Sequence, residues 1–392
     1  MRTIYLDHNA TTPVDPAVLE AMLPYLREGF GNPSSGHAFG RRAREGVEEA
    51  RAQVAAAIGA TPGEIVFTSG GTEASWLALL GTAEALREGT PGRRLRIASF
   101  SLEHPATLDP LERLRRLGDE AILVPPDERG VVRLPELFAL WEARMAPSIV
   151  SLMHAHNETG VVQPVEIVGR HASQHGTIFH VDAAQTLGKI HVQVGSIGCD
   201  LLTIAGHKLY GPKGVGALYV RRGTPLSPPL RGAGQERGLR GGTENVPGIV
   251  GLGTACAIAR RRVEAGEPAA LQRLRERLWE GLRAAVPGIA RTADGTATLP
   301  NTLHVRFPGA SGGAVLAASP EVAASTGSAC HAGSDAPPAA IVAMGIPQEQ
   351  ARGSVRLSLG YATDEDAIDS AVACLARGWR AATGGNPDAP AR

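Results

Sequence analysis

Lys208 stands in Gly206-His207-Lys208-Leu209-Tyr210-Gly211-Pro212, directly after the apolar run Leu201-Leu202-Thr203-Ile204. A lysine at the tip of a buried strand is poorly hydrated, which lowers its pKa and suits its amine to Schiff-base chemistry. Most lysines are solvated surface groups and glycines also serve plain turns, so the tripeptide alone leaves both readings open. Earlier in the chain, His180-Val181-Asp182-Ala183-Ala184-Gln185 closes another apolar run. A carboxylate there can keep the ring nitrogen of pyridoxal phosphate protonated, so that the ring accepts electrons from a Cα carbanion. Gln185, three residues on, can face the same ligand and hydrogen-bond its phenolate oxygen. An aspartate capping a helix is the plainer alternative for Asp182. The two motifs together say more than either alone.

Other polar groups stand at the ends of further apolar runs. Ser69-Gly70-Gly71-Thr72-Glu73 has the strand, Gly-rich turn, helix order that cradles phosphate with backbone N–H groups. It is neither a Walker loop nor a dinucleotide fingerprint, because both spacings are missing. His104, in Ser101-Leu102-Glu103-His104-Pro105, can stack on a flat ring and shuttle protons, and Asn157 can donate to a phenolate oxygen. Cys330 lies in the small, Gly-rich stretch Ser325-Thr326-Gly327-Ser328-Ala329-Cys330-His331-Ala332-Gly333-Ser334. That texture suggests a mobile loop able to carry a thiol into a cleft, against the ordinary state of a free cysteine as a buried, inert group.

The elements that must hold these groups follow from periodicity. Apolar runs at 64–68, 95–100, 148–153, 178–182 and 201–204 alternate with helical stretches between about 47 and 222, the pattern of an α/β fold with a mainly parallel sheet. In such sheets ligands bind beyond the carboxyl ends of the strands, so the polar tips should converge. After residue 255 an Arg/Glu/Leu-rich helix at about 266–285, short strands near 301–307 and 355–359 and a closing helix indicate a smaller α+β domain. We therefore expect a large domain over 15–255, a small domain of 1–14 plus 256–382 that carries the Cys330 loop, and a disordered tail at 383–392.

Composition narrows the classes. The chain has 392 residues, with 39 Lys plus Arg against 39 Asp plus Glu, so its overall charge does not favour a nucleic acid partner. No run approaches a membrane span and the start lacks an apolar signal core, which makes the cytoplasm the expected location. Four scattered cysteines, Cys199, Cys256, Cys330 and Cys374, form no disulfide framework or metal spacing, so free thiols and no metal are expected.

Taken in order, these residues resemble the cysteine desulfurase family of fold-type I pyridoxal-phosphate enzymes, the aminotransferase class V group that also contains selenocysteine lyases. The resemblance runs from Tyr5-Leu6-Asp7-His8-Asn9-Ala10-Thr11-Thr12-Pro13 to about Ser370. It rests on Phe30-Gly31-Asn32-Pro33-Ser34-Ser35, His207-Lys208, Gly234-Gln235-Glu236-Arg237, Gly242-Thr243-Glu244-Asn245 and Gly327-Ser328-Ala329-Cys330. It implies a seven-stranded large domain in which Lys208 bonds the cofactor and His104 stacks on the ring. Asp182 would pair with the ring nitrogen, and Asn157 and Gln185 would reach the phenolate oxygen. Gly71, Thr72 and His207 would bind phosphate, and Thr243 would reach the phosphate in the other subunit of a homodimer. Arg356 would grip the substrate carboxylate in a bidentate fork, with Asn157 and Asn32 also near substrate. Cys330 would attack the sulfur of L-cysteine, keep it as a persulfide and pass it to an acceptor or scaffold protein, leaving alanine.

Departures from the family pattern are Ala205 where many members carry serine, Trp76 where asparagine is usual, and a short stretch at 313–324. His331 after Cys330 resembles selenocysteine lyases, which makes release of selenium from L-selenocysteine the second reading. An aminotransferase on the same fold and a non-catalytic scaffold in a sulfur relay are the remaining ones.

Overall fold

The computed structural model describes residues 3–88, 90, 92–143, 145–327 and 336–384. Cys330 and His331 lie outside the described residues, as does the end of the chain from 385.

The large sheet has seven strands: β2 (Ile65–Thr68), β3 (Arg96–Phe100), β4 (Glu120–Val124), β5 (Ile149–Met153), β6 (Ile178–Asp182), β7 (Leu201–Ala205) and β8 (Gly216–Val220), in the order β2-β8-β7-β6-β5-β3-β4. All neighbours run parallel except β8, which is antiparallel to both β7 and β2. The interior strands β5 and β7 are buried throughout and read as apolar runs interrupted only by Ser151 and Thr203, as expected of strands covered on both faces. Because β8 is the one strand that runs the other way, β2, β3, β5, β6 and β7 all present their carboxyl ends along one edge of the sheet. The polar tips named above therefore share that edge.

The small domain is a three-stranded antiparallel sheet of β9 (Ala290–Arg291), β10 (Thr302–Arg306) and β12 (Ser354–Ser358), packed with the helices Pro268–Ala285 and Glu365–Ala382. Its own core contains Leu278, Leu282, Leu303, Val305, Leu357, Leu375 and Trp379. The N-terminal β1 (Ile4–Tyr5) pairs parallel with β11 (Val322–Ala323), and Leu6 belongs to this same core.

One element crosses the expected boundary. The helix Val246–Glu264 runs unbroken through residue 255, and Ala255, Cys256, Ile258 and Ala259 belong to the large core. Gly253 explains why: a Cβ there would meet Ala50 Cα at 2.6 Å, so the helix Ala38–Ile58 lies against it backbone to backbone. The change of texture after 255 is a change of the exposed face, not of the element.

Candidate active site

Past residue 6 the N-terminal segment leaves the small domain and crosses the strand tips. His8 N–H donates to Ser358 O on β12, while Thr12 N–H donates to His207 O and Asp15 N–H to Tyr210 O in the large domain. The chain is thus stitched to both domains on either side of Asn9 and Ala10, and Lys208 meets it there. Lys208 ends the short turn Gly206–Lys208 after β7, and its Nζ donates to Asn9 O at 2.5 Å and Ala10 O at 2.9 Å. Burial lowers its pKa to about 8, with Arg356 adding repulsion and Asp182 and Asp7 opposing it.

Lys208 shares a cleft with Gly71, Thr72, His104, Asn157, Asp182, Gln185 and His207. Ala106, Ala155, Ala184 and Ala205 line it as well, and their small side chains leave a slot for a flat ring. Asp182 closes β6; one carboxylate oxygen accepts from Ala184 N–H at 2.9 Å, and the other takes no hydrogen bond from a described residue. Burial raises its pKa, while His104 and Lys208 favour its charge. A cationic ring nitrogen beside it would satisfy that carboxylate. His104 begins the helix Pro105–Arg116, and its Nδ1 accepts from Ala106 N–H at 3.1 Å, so the neutral ring carries its proton on Nε2. Burial lowers its pKa, as does Lys208.

Gly71, Thr72 and His207, the groups expected to hold phosphate, all line the cleft. The helix that starts at Gly71 lies so close to β7 that a Cβ on Gly71 would meet Ala205 Cβ at 3.2 Å. A serine at 205 would have to share that space, which gives the Ala205 departure a packing context. His207 bonds Thr11 Oγ1 through Nδ1 at 3.2 Å, and burial and the two nearby lysines, Lys208 and Lys213, lower its pKa to about 4. It is a neutral hydrogen-bonding group at physiological pH. Trp76 is half-buried and does not line the cleft. The residues present fit pyridoxal phosphate in charge, shape and donor set.

Arg356 comes from β12. It is 2 % exposed, donating from NH1 to Asn157 O at 3.1 Å and from NH2 to Asp7 Oδ1 at 2.6 Å, and its Nε has no partner among the described residues. Asn32 and Thr243 are exposed and do not line the cleft. Of the described cysteines, Cys199 and Cys256 are core residues whose thiols burial pushes up to about 12, and Cys374 is half-buried on the closing helix.

Several groups here have no counterpart in the sequence reading. Asp7 pairs with Arg356, Asn9 receives Lys208, and Lys189 reaches Asn9 Oδ1 and Gln185 Oε1 at 2.9 Å each. Glu103 is fully buried, accepts from Met153 N–H, and is pushed up to about 8 by burial and by Asp182. Below the cleft, His180 bonds Ser151 Oγ at 2.8 Å and Thr203 Oγ1 at 2.9 Å, and Thr203 bonds Ser75 at 3.1 Å, which ties three strands to the helix at Gly71.

The family model of class V aminotransferases matches residues 4–370. A cysteine desulfurase of Nostoc sp. is 44 % identical over 374 residues, covering 95 % of this chain and 92 % of that protein. A cysteine desulfurase IscS of Anaeromyxobacter dehalogenans is 44 % identical over 372 residues, covering 94 % and 90 %. Among solved structures, a NifS-like protein superposes with a TM-score of 0.86 at 36 % identity, covering 95 % of this chain and 98 % of that one.

Proposed function

The chain belongs to the aminotransferase class V family as a pyridoxal-phosphate-dependent cysteine desulfurase, and from that premise we propose how its residues divide the reaction. Lys208, Asp182, Asn157, Gln185, His104, Gly71, Thr72 and His207 hold the cofactor, and Cys330 receives the sulfur of L-cysteine. The meeting of Lys208, Asp182 and His104 in one cleft carries this reading. Bound there, pyridoxal phosphate supplies an electron sink for negative charge at the substrate Cα.

The rest falls to the chain. Lys208, whose pKa burial lowers to about 8, is the amine placed to take the Cα proton through Nζ. Asp182 keeps a proton on the ring nitrogen through its unpaired oxygen. Arg356 binds the substrate carboxylate with its fork, for which Asp7 must yield one N–H. Cys330 Sγ attacks the substrate sulfur; an S–S bond forms as the Cβ–S bond breaks, and Cβ gains a proton to become the methyl of alanine. Thiol plus L-cysteine gives persulfide plus L-alanine, with no outside oxidant. The high pKa of the Cys199 and Cys256 thiols supports Cys330 as the nucleophile.

The exposed positions of Asn32 and Thr243, and the exposed pair Phe30 and Phe39 with ring centroids 5.4 Å apart, support a homodimer in which each subunit completes its partner's site. No helix among the described residues is long and apolar enough to cross a membrane. We read the location as cytoplasmic and the sulfur acceptor as a second protein. The test is alanine release from purified holoenzyme with L-cysteine and with L-selenocysteine. Turnover of cysteine with loss of release in Cys330→Ala is the expected result; turnover of selenocysteine alone defeats it, and formation of a sulfur-containing 2-keto acid in place of alanine favours an aminotransferase.

A further inference from the structure

Lys189 has no part in the division above, yet it is 7 % exposed and lies beside the cleft. It stands four residues after Gln185 in a tight turn, where Thr186 O accepts from the N–H groups of Lys189 at 3.0 Å and Ile190 at 3.1 Å. Gly188 supplies the φ of 82° that the turn requires, and the Tyr361 hydroxyl donates to Gly188 O at 2.7 Å. The turn brings the Gln185 and Lys189 side chains back to one point, the buried Asn9.

An amide side chain has two nearly isosteric ends, and its partners decide which way it faces. Lys189 Nζ is the only donor on Gln185 Oε1 among the described residues. With that oxygen held, Gln185 turns Nε2 the other way, to Asn9 O at 3.0 Å, the same carbonyl that takes Lys208 Nζ. Asn9 is fixed in the same manner. Its Oδ1 accepts from Lys189 at 2.9 Å and from Asn301 Nδ2 at 3.2 Å, so its Nδ2 donates to Thr302 Oγ1 at 2.9 Å and to Asn157 O at 3.3 Å.

We propose that Lys189 is a positioning residue for the reaction: it sets the orientation of the Gln185 and Asn9 amides, so that an N–H donor and a fixed carbonyl face Lys208 and the cofactor. This rests on the reading of Gln185 as a cofactor contact. Burial, with Lys208 and Arg356 nearby, holds Lys189 well below its ordinary pKa, and even the neutral amine keeps two N–H donors for its two acceptors. A lysine that only tied the N-terminal segment to the large domain would affect folding and leave the cofactor's electronic state alone.

The experiment follows the visible absorbance of the bound cofactor against pH in the holoenzyme, in Lys189→Met, in Gln185→Ala and in the double variant. Wild-type protein without cofactor absorbance would defeat the cofactor reading itself, separately from this proposal. The expected result is that both single variants move the titration midpoint in the same direction by at least about half a pH unit. The double variant moves it no further than the larger single, and Lys189→Arg, which keeps N–H donors, brings it back toward wild type. A Lys189→Met midpoint equal to wild type, shifts that add in the double variant, or an unshifted Gln185→Ala would each overturn the proposal. Should Lys189→Met give no soluble protein, Lys189→Leu, which likewise lacks an N–H donor, is titrated under the same criteria.

Discussion

The cleft has a floor and a seam, and they are built differently. The floor is the row of strand tips in the large domain, where each group is held by its own neighbourhood: Asp182 by Ala184 N–H, His104 by Ala106 N–H, and Glu103 by Met153 N–H. The seam is made by stretches far apart in sequence. Asp7 and Asn9 come from the N-terminal segment, Lys208 from the end of β7 and Arg356 from β12, and they meet through the pairs Arg356–Asp7 and Lys208–Asn9. In the proposed division the floor would hold and protonate the cofactor, and the seam would decide what is presented to it. Damage to the floor should therefore change the cofactor's own spectrum, while damage to the substrate side of the seam should change KM first.

Lys208 belongs to both, and its loss is the largest expected effect. Lys208→Ala should cut alanine formation by at least about 10³-fold and remove the absorbance of lysine-linked cofactor, checked by steady-state assay and spectrum. On the floor, Asp182→Asn should keep cofactor bound, alter its spectrum and lower kcat by about 10²–10⁴-fold; a variant with a normal spectrum and rate would end the distinction drawn above. On the seam, Arg356→Lys removes a planar fork worth about 1.5–3 kcal/mol, so KM for cysteine should rise roughly 10- to 100-fold with the spectrum unchanged.

How much of this was legible in the sequence follows the same division. Floor groups stand within a few residues of a strand end, so Asp182, His104, Thr72 and Lys208 are visible from periodicity and motif spacing. The five strands expected in the large sheet form with their ends within about one residue of expectation, as do the two expected in the small domain. In the large sheet two strands are not marked off by the sequence: β4, whose residues are mostly half-buried at the sheet edge, and β8, whose opening Gly216 reads as part of the glycine motif before it; the two-residue strands β1, β9 and β11 are too short to show a period. Seam partners carry no local mark. Asp7 meets Arg356 across 349 positions and Lys189 meets Asn9 across 180. The one signal available was the four-residue spacing of Gln185 and Lys189 in a stretch otherwise apolar.

The smallest predicted effect tests the floor by pH. Glu103 titrates at about 8 in the fold against 4.5 as a free side chain, so between those values the folded state holds the extra proton and this group lowers stability as pH rises. Glu103→Gln should match wild type near pH 4.5 and become the more stable protein as pH climbs toward 8, read from thermal unfolding of the cofactor-free protein. Parallel stability curves would show that the buried carboxyl is ionised in the fold.

The most direct test of the whole account is to incubate the holoenzyme with L-cysteine and map the persulfide by mass spectrometry while alanine is measured. The account predicts a persulfide on Cys330, with Cys199, Cys256 and Cys374 unmodified and Cys330→Ala carrying none. A persulfide on any other cysteine, or on the Cys330→Ala protein, would contradict it.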